Sequence, residues 1–280
     1  MTINYIADVS WILHRGYFAC SRIWTEYPEI HFLCKKIESW LSNKNVILHL
    51  CLDGYNTKGR RILGEQYKAG RHQDNHYNVY TGLSTFINLL NNERIKIYYS
   101  NDYESDELIF TLSRTLDGRK RIISGDKDLL QSLKSDVIIE GSNGLITTYE
   151  TYQYEYADKF FGIPPDKLPI FRAIVGDTSD NLKPPVIRFP KKLAAKIVND
   201  LDYNGSCPNI DQLSKIDLNN YSDSEKKWLD KLISNYSLFN TNFEIMKLNV
   251  ITDNISNKYK NDTVEFSDFL KQKIIWLNSL

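Results

Sequence analysis

The stretch RIISGDKDLLQS, residues 121–132, constrains the fold more than any other part of the chain. Its apolar start ends at Ser124-Gly125, Asp126 and Asp128 follow, and apolar residues then resume. A buried strand that runs through a turn into a helix produces this pattern. In an open α/β sheet, residues just past the carboxyl end of a strand line the ligand crevice. The two aspartates are therefore candidate ligands of a divalent metal ion at that edge.

Apolar strand patterns alternate with helical patterns over the first half of the chain. This alternation predicts an α/β fold for residues 1–150, with a mostly parallel central sheet and helices on both faces. After residue 150 the strand signal nearly vanishes, so residues 151–280 are expected to form a helical C-terminal region. The predicted strands are 3–7, 46–52, 95–100, 122–123, a hairpin of 137–140 with 145–148, and one further strand at 244–250. Among the predicted helices is 77–90.

Several classes of protein are excluded by the sequence. No apolar run approaches the length of a membrane span, and the N-terminus lacks the basic start of a signal peptide. There is no GxxxxGK motif, which excludes P-loop nucleotide enzymes. The four cysteines lack CxxC spacing and are typical of reduced thiols, so we expect a cytoplasmic protein with neither a zinc site nor disulfides: Cys20, Cys34, Cys51 and Cys207.

The net charge of zero conceals an uneven distribution. Lys+Arg and Asp+Glu both number 35. If a group of acids is gathered in one metal site, the remainder of the protein is basic, and bound divalent ions would offset the acids further. A phosphate-binding surface is compatible with this balance.

Further acids follow other predicted strands: Asp8, Asp53, and the group Glu104, Asp106 and Glu107. Asp177 and Asp180 lie outside the sheet, in the turn GDTSDN. Because parallel strands end at one edge, acids distant in sequence converge there. Glu104 and Glu107 are expected on one helix face and Asp106 on another. The alternative is that each acid is a helix N-cap or first-turn residue, which explains any single acid equally well but not all placements together.

Five sequence blocks carry a family resemblance: IADVSWILHRGYFA (6–19), LCLDG (50–54), YESDELI (103–109), IISGDKDLLQ (122–131) and GDTSDN (176–181). They resemble the 5′-nuclease superfamily of flap endonucleases and 5′→3′ exonucleases. The phage and bacterial-polymerase-associated branch, including phage ribonuclease H-type 5′ nucleases, is the most similar. The order and spacing of the blocks cover about residues 3–200.

The resemblance implies two Mg²⁺ ions, for which Mn²⁺ can substitute. It also implies attack by a metal-activated water, leaving a 5′-phosphate and a 3′-hydroxyl. By position, the first ion would be held by Asp8, Asp53, Glu104, Asp106 and Asp126. A more open second site would be formed by Asp128, Asp177 and Asp180, with Glu107 as an outer ligand.

The basic segment 56–76 stands where the family has a helical arch over the active site. Its run EQYKAGR resembles the family's EYKANR, so the resemblance assigns Lys68 a catalytic contact with the scissile phosphate. Arg71 would contact the same phosphate or the threaded strand, and Tyr67 could stack on a base. Arg60 and Arg61 are further phosphate-binding candidates. The alternative interpretation is a solvated charged helix.

Residues 171–198 stand where the family has a helix–turn–helix that binds duplex phosphates. The family's turn reads GVPGIGKKTA, whereas this chain has KPPVIRFPKKLAAK. Prolines remove backbone donors, so charged side chains would take over the phosphate contacts. The candidates are Lys183, Arg188, Lys191 and Lys192.

The expected function is a structure-specific, metal-dependent 5′ nuclease in DNA replication or repair. Its substrate would be 5′-flap, nicked or RNA-primed duplex DNA, and it would act as a monomer beside a polymerase or single-strand-binding protein. Exonuclease and endonuclease action both remain open, as do RNA and DNA in the 5′ strand. The alternatives are a PIN-type ribonuclease, against which the length and the GDTSDN block argue, and a catalytically inactive DNA-binding scaffold.

Overall fold

A computed structural model of the protein describes residues 2–54, 78–252, 255 and 264–280. In chain order its strands are β1 (Ile3–Asp8), β2 (Val46–Leu52), β3 (Ile95–Tyr99), β4 (Arg119–Ile123), β5 (Val137–Glu140) and β6 (Ile146–Thr147). They form one sheet in the order β3-β2-β1-β4-β5-β6. Every neighbouring pair is parallel except β5 with β6. The predicted mostly parallel α/β sheet is confirmed.

Both faces of the sheet are buried. Along β1, Ile6 enters one hydrophobic core and the next residue, Ala7, enters the other. Along β2, Leu50 and Cys51 divide in the same way. Successive side chains of a strand point to opposite faces, so strands that are apolar at consecutive positions require cover on both sides.

The described residues of the first half contain four helices: α1 (Val9–Cys20), α2 (Pro28–Leu41), α3 (Leu83–Leu89) and α4 (Ser105–Thr115). The helix predicted at 77–90 is longer than the helix in the structure. Its described part begins only at Leu83, because Gly82 before it has φ of 86°. That left-handed conformation does not continue a right-handed helix, and residues 80–82 form a turn instead.

The second half is helical. A short 3₁₀ helix, Asp128–Ser132, follows β4, and the predicted hairpin is present as β5 and β6. The helices after it are α5 (Tyr149–Glu155), α6 (Ala157–Phe160), α7 (Leu168–Val175), α8 (Lys191–Asp200), α9 (Ile210–Ser214), α10 (Asp223–Ser234), α11 (Tyr236–Met246) and α12 (Asp268–Asn278).

The strand predicted at 244–250 is wrong. Its first residues complete α11, and the rest is irregular. Side chains, not a neighbouring strand, satisfy the backbone here. Gln131 donates to the Met246 carbonyl at 2.9 Å and accepts from the Leu248 amide at 3.2 Å. The Thr111 hydroxyl accepts from the Ile251 amide at 2.9 Å. These buried polar contacts replace a sheet ladder.

The hydrophobic cores cross the boundary expected at residue 150. On one face of the sheet, α7, α8 and α11 pack with β-strand residues such as Ile122. On the other face, Leu270 and Ile274 of α12 pack with α1, α2 and β2. Helix α12 therefore returns to the N-terminal half, and each of the two hydrophobic cores contains residues from both parts.

Two sequence expectations concern segments away from the sheet. The proposed arch at 56–76 lies outside the described residues. Within the part of the chain that the structure describes, no helix combines the length and apolar character needed to span a membrane.

Candidate metal centre

Two carboxylates lie side by side at the carboxyl edge of the sheet. Asp8 ends β1 and pairs in register with Cys51 of the parallel β2, and Asp53 follows that strand. Asp8 caps α1 by accepting the Trp11 amide at 3.1 Å, and its other oxygen accepts the Ser124 hydroxyl at 2.8 Å. Neutral donors from different elements therefore fix this carboxylate in one orientation.

Asp53 is held in the same manner. One of its oxygens accepts the Ser105 amide at the start of α4 at 2.7 Å, and the other accepts the Ser10 hydroxyl. A side chain at the next residue, Gly54, would overlap the Ser100 carbonyl. The close approach that glycine permits therefore brings the segment before α4 against the end of β2.

The pKa of Asp8 reflects this crowding. Burial disfavours its charge, the nearby Asp53 carboxylate adds repulsion, and together they raise the pKa to about 7 despite the hydrogen bonds. The position favours a carboxylate only if positive charge is supplied close by. The described hydrogen-bond partners of Asp8 are all neutral.

Three further carboxylates converge beside this pair. One oxygen each from Asp106, Asp126 and Asp128 lie within 4.8 Å of one another. Asp106 comes from the first turn of α4, and the other two follow β4. The Asp128 amide donates to Asp126 at 2.8 Å, and a Cβ on Gly125 would lie 2.5 Å from the Trp11 ring nitrogen. The GDKD turn is therefore folded tightly onto α1.

The acids at the start of α4 divide as the sequence predicts, with Glu104 beside Glu107 and Asp106 apart from them. Only the cause differs, because Glu104 is not in the helix: it is the N-cap, with extended backbone angles of −79° and 159°. A capping box, not a shared helix face, brings it beside Glu107. The Glu107 side chain accepts the Glu104 amide at 3.1 Å. Among these three acids, Asp106 is the one that joins Asp126 and Asp128, although Glu104 and Glu107 are also buried.

A second acid group surrounds Arg172 of α7. Its guanidinium nitrogen Nη1 contacts the Asp128 carboxylate and lies 2.7 Å from Asp177 Oδ2. Burial alone would raise the pKa of Asp177, but hydrogen bonds from Ser179 and the charge of Arg172 lower it overall. Asp180 is buried in the same turn. Asp128 thus takes part in both acid groups, whereas the sequence assigned it only to the second.

Sequence reasoning missed Arg172, because no motif marks it and its contact with Asp128 spans 44 residues. It also missed two exposed lysines at the same place. Lys159 lies close to Lys127 and Arg172, and burial together with these two positive charges lowers its pKa to about 8. Of these residues, only Lys127 could have been found from the sequence, because it stands between the two aspartates of GDKD.

The basic turn, by which we mean the residues between α7 and α8 together with the first two residues of α8, presents the predicted basic residues to solvent. All four are exposed: Lys183, Arg188, Lys191 and Lys192. The turn is anchored from below by the buried Asn242, whose amide donates to the carbonyls of Ala173 at 3.2 Å and Lys183 at 2.8 Å. Their role in binding nucleic acid stays a prediction.

Five other predicted contacts lie outside the described residues: Arg60, Arg61, Tyr67, Lys68 and Arg71. Their assignments rest on the sequence alone.

The donor set at the sheet edge fits a hard divalent ion. Asp106, Asp126 and Asp128 offer only carboxylate oxygens, the ligands that Mg²⁺ and Mn²⁺ prefer. The neighbouring Asp8 and Asp53 add negative charge and are oriented by hydrogen bonds, as outer partners of metal sites are. No cysteine or histidine takes part in this described cluster, which argues against a zinc preference.

The sequence of this chain matches a family model over residues 4–161, more than half of its length. The model is that of the 5′-3′ exonuclease, N-terminal resolvase-like domain. The protein belongs to this family. All the acids of the sheet edge fall within the matched residues, whereas Arg172, Asp177 and Asp180 lie beyond them.

Curated relatives of this 5′-3′ exonuclease family member include DNA polymerase I of Streptococcus pneumoniae R6, 31% identical over 152 residues. That match covers 52% of the chain and 17% of the polymerase. A 5′-3′ exonuclease of Mycoplasmopsis pulmonis is 26% identical over 189 residues, covering 64% of the chain and 60% of the relative. The chain therefore matches less than two thirds of either relative's length.

Solved structures share the fold. The bacteriophage T5 D15 protein co-crystallised with metal ions aligns with a TM-score of 0.62 at 14% identity, covering 86% of this chain and 88% of that one. A pseudo-enzyme–product complex of the T5 D15 flap endonuclease with DNA and metal ions aligns with a TM-score of 0.62 at 13% identity. It covers 99% of this chain and 100% of the other.

Proposed function

We propose that the protein is a structure-specific 5′ nuclease that hydrolyses phosphodiester bonds of DNA with two Mg²⁺ ions, for which Mn²⁺ can substitute. One observation carries the proposal: carboxylates from two segments distant in sequence, Asp106 of α4 and Asp126 and Asp128 after β4, meet within 4.8 Å at the carboxyl edge of a parallel sheet. Membership of the 5′-3′ exonuclease family and the DNA and metal ions in a structural neighbour support it.

Different residues of this chain would bind the metal ions and the substrate phosphate. Asp106, Asp126 and Asp128 would hold divalent ions together with Asp8 and Asp53, whose carboxylates are oriented by hydrogen bonds. When bound there, divalent ions supply an activated water and stabilise the leaving oxygen. The exposed Lys127 and Lys159 lie beside these acids and would draw the substrate phosphate to the site.

The substrate we propose is duplex DNA with a 5′ flap, a nick or an RNA primer, met during replication in the cytoplasm of a bacterial or phage-infected cell. The exposed basic turn at the start of α8, with Lys183, Arg188, Lys191 and Lys192, would contact duplex phosphates. The segment 56–76, with Lys68 and Arg71, would contact the 5′ strand. The protein would act as a monomer beside a polymerase or single-strand-binding protein.

The test is cleavage of a duplex whose 5′ flap carries a label at its end, with Mg²⁺ or with EDTA. We expect cleavage with Mg²⁺ and none with EDTA. Asp126→Asn should lose the activity, because it removes a carboxylate from the three-acid group. The matched control is Asp223→Asn, which makes the same change in a side chain that is 97% exposed at the start of α10.

The products decide the mode of action. Fragments cut near the flap junction would establish an endonuclease, and mononucleotides released from the 5′ end would establish an exonuclease. If the protein binds the flap duplex but leaves it intact with Mg²⁺ and with Mn²⁺, the nuclease proposal is wrong and a DNA-binding scaffold takes its place.

A further inference from the structure

Arg172 is built into the second acid group rather than placed on the surface. Its side chain is 11% exposed, and those of Asp128 and Asp177 are 6% and 16% exposed. One nitrogen, Nη1, contacts an oxygen of each carboxylate. A buried guanidinium so shared between two acids acts as their fixed counter-ion.

The backbone after α7 holds this arrangement in place. Gly176 has φ of 74°, and a Cβ there would lie 2.6 Å from the Leu182 carbonyl. The chain therefore reverses directly after α7, and this reversal brings Asp177 back to Arg172, five positions earlier. Asp177 and Leu182 then exchange two backbone hydrogen bonds, of 3.0 and 2.7 Å, which close the turn. Arg172 and Asp177 meet because of local backbone geometry.

The same nitrogen occupies the point where an ion shared by Asp128 and Asp177 would lie. Such an ion would have to contact the two oxygens that Nη1 already contacts, so its position is filled. Its charge is also supplied, because the guanidinium provides one positive charge between the two carboxylates. Lys127 and Lys159 add further positive charge close by. Space and electrostatics both oppose a divalent ion there.

We propose that Arg172 replaces a divalent ion between Asp128 and Asp177, and that the DNA-free protein therefore binds one divalent ion tightly, at Asp106, Asp126 and Asp128. The inference rests on the proposed metal-dependent function and specifies how many ions are held before substrate arrives. It makes Arg172 a positioning residue, which orients Asp128 toward the three-acid group and reduces the negative charge of that group by one.

The experiment measures Mn²⁺ binding to the EDTA-stripped, DNA-free full chain by electron paramagnetic resonance of free Mn²⁺ and by calorimetry. The wild-type protein should bind one ion tightly. Arg172→Gln removes the positive charge and the contacts of Nη1 with both carboxylates, so we expect a second ion whose affinity is at least tenfold higher than in the wild type. Arg172→Lys keeps the charge and should restore a single tight ion.

Arg114→Gln is the matched control. Arg114 is likewise a partly buried arginine, but it donates to the carbonyls of Gln131 at 2.8 Å and Ser132 at 3.1 Å. Its substitution should leave the number of bound ions at one. Circular dichroism and a thermal melt of each variant establish that it is folded before binding is measured.

Two results would overturn the inference while the proposed function stands. The first is a wild-type protein that cleaves the flap duplex and binds two Mn²⁺ ions with affinities within tenfold of each other. This measurement needs no variant, so it decides the matter even if Arg172→Gln does not fold. The second is a folded Arg172→Gln that binds Mn²⁺ as the wild type does. A wild-type protein that neither binds Mn²⁺ nor cleaves would instead overturn the proposed function.

Discussion

The two acid groups of this protein differ in the partners that surround their carboxylates. At the sheet edge, Asp8 and Asp53 are held by serine hydroxyls and backbone amides, which orient the carboxylates without supplying a full positive charge. Around α7, Asp128 and Asp177 share the guanidinium of Arg172. The described partners of Asp8 and Asp53 leave their negative charge uncompensated, whereas the second group contains a cation of its own.

This difference shows that the number of bound metal ions cannot be deduced from acidic motifs alone. GDKD and GDTSDN supply similar carboxylates, but the helix before the second motif carries an arginine that reaches both. A buried acid pays a desolvation penalty that neutral donors offset only in part, and a nearby cation offsets much more. Whether a carboxylate is available to a metal therefore depends on its other partners.

The largest expected effect comes from removing one acid of the three-acid group. Asp126→Asn should slow cleavage of a flap duplex by at least about 100-fold, because a metal-binding oxygen and its charge are lost. Binding of the same duplex in EDTA should change by less than about threefold, since that affinity rests on basic residues. Single-turnover cleavage and fluorescence anisotropy measure the two effects. Full activity in this variant would contradict the metal assignment.

The stability of the metal-free protein should distinguish the two groups by sign. Asp8→Asn keeps the cap of α1 and removes a crowded buried charge, so the free energy of unfolding in EDTA at pH 8 should rise by about 2 kcal/mol. Asp177→Asn deprives Arg172 of a partner and should lower it by about 2–4 kcal/mol. Urea unfolding of each variant measures these changes. Shifts of the same sign in both variants would refute the contrast.

His49 is a buried residue of β2. Its protonation limits the pH range in which the stabilities of the two variants can be compared. Its ring nitrogens lie 3.0 Å from the Tyr98 hydroxyl and 3.0 Å from the Asn4 side chain, and burial lowers its pKa to about 4. Since the unfolded chain protonates near pH 6.5, the folded state binds fewer protons between these values. Stability is therefore fully present above pH 6.5 and falls as the pH drops toward 4.

We expect this histidine to account for a loss of up to about 3 kcal/mol of unfolding free energy between pH 6.5 and pH 4. His49→Gln, which cannot titrate there, should remove that part of the pH dependence while other groups keep theirs. Urea unfolding at several pH values, with EDTA present, measures it. An unchanged slope in His49→Gln would show that the imidazole is not buried in its neutral form.

The smallest expected effect concerns the basic turn, outside both acid groups. The double variant Lys191→Ala/Lys192→Ala should weaken duplex binding by about tenfold, and the slope of log affinity against log salt should fall by about 2. Lys226→Ala/Lys227→Ala on α10 is the control with the same change in charge. Anisotropy titrations at several salt concentrations measure both. If the two double variants behave alike, the turn has no special role in DNA binding.

The elements that the sequence predicts well are those defined by local patterns. The bounds of β2 were exact, and the β5–β6 hairpin lies where its apolar runs and its Ser-Asn-Gly turn indicate. The acids at the ends of β1, β2 and β4 could be found because a strand end needs only a few neighbouring residues to recognise. This information was enough for the fold and for the position of the sheet-edge acids.

The contacts that the sequence does not reveal depend on long-range packing or on one backbone angle. The extended backbone of Glu104 places it before α4 as the N-cap. The false strand at 244–250 has strand-like composition, but side chains of Gln131 and Thr111 satisfy its backbone. The ion pair of Arg172 with Asp128 joins residues from opposite sides of the expected domain boundary, and no local pattern contains it.

The attachment of the basic turn to α11 has a consequence for product length. Asn242 ties the start of that turn to α7, and α7 carries Arg172, which contacts Asp128. The turn that would bind duplex phosphates and the site that would cut the strand are thus connected through α7, and we expect the distance between them to be fixed. We expect such a molecule to measure its substrate, cutting at a constant number of nucleotides from the edge of the duplex whatever the length of the strand that protrudes.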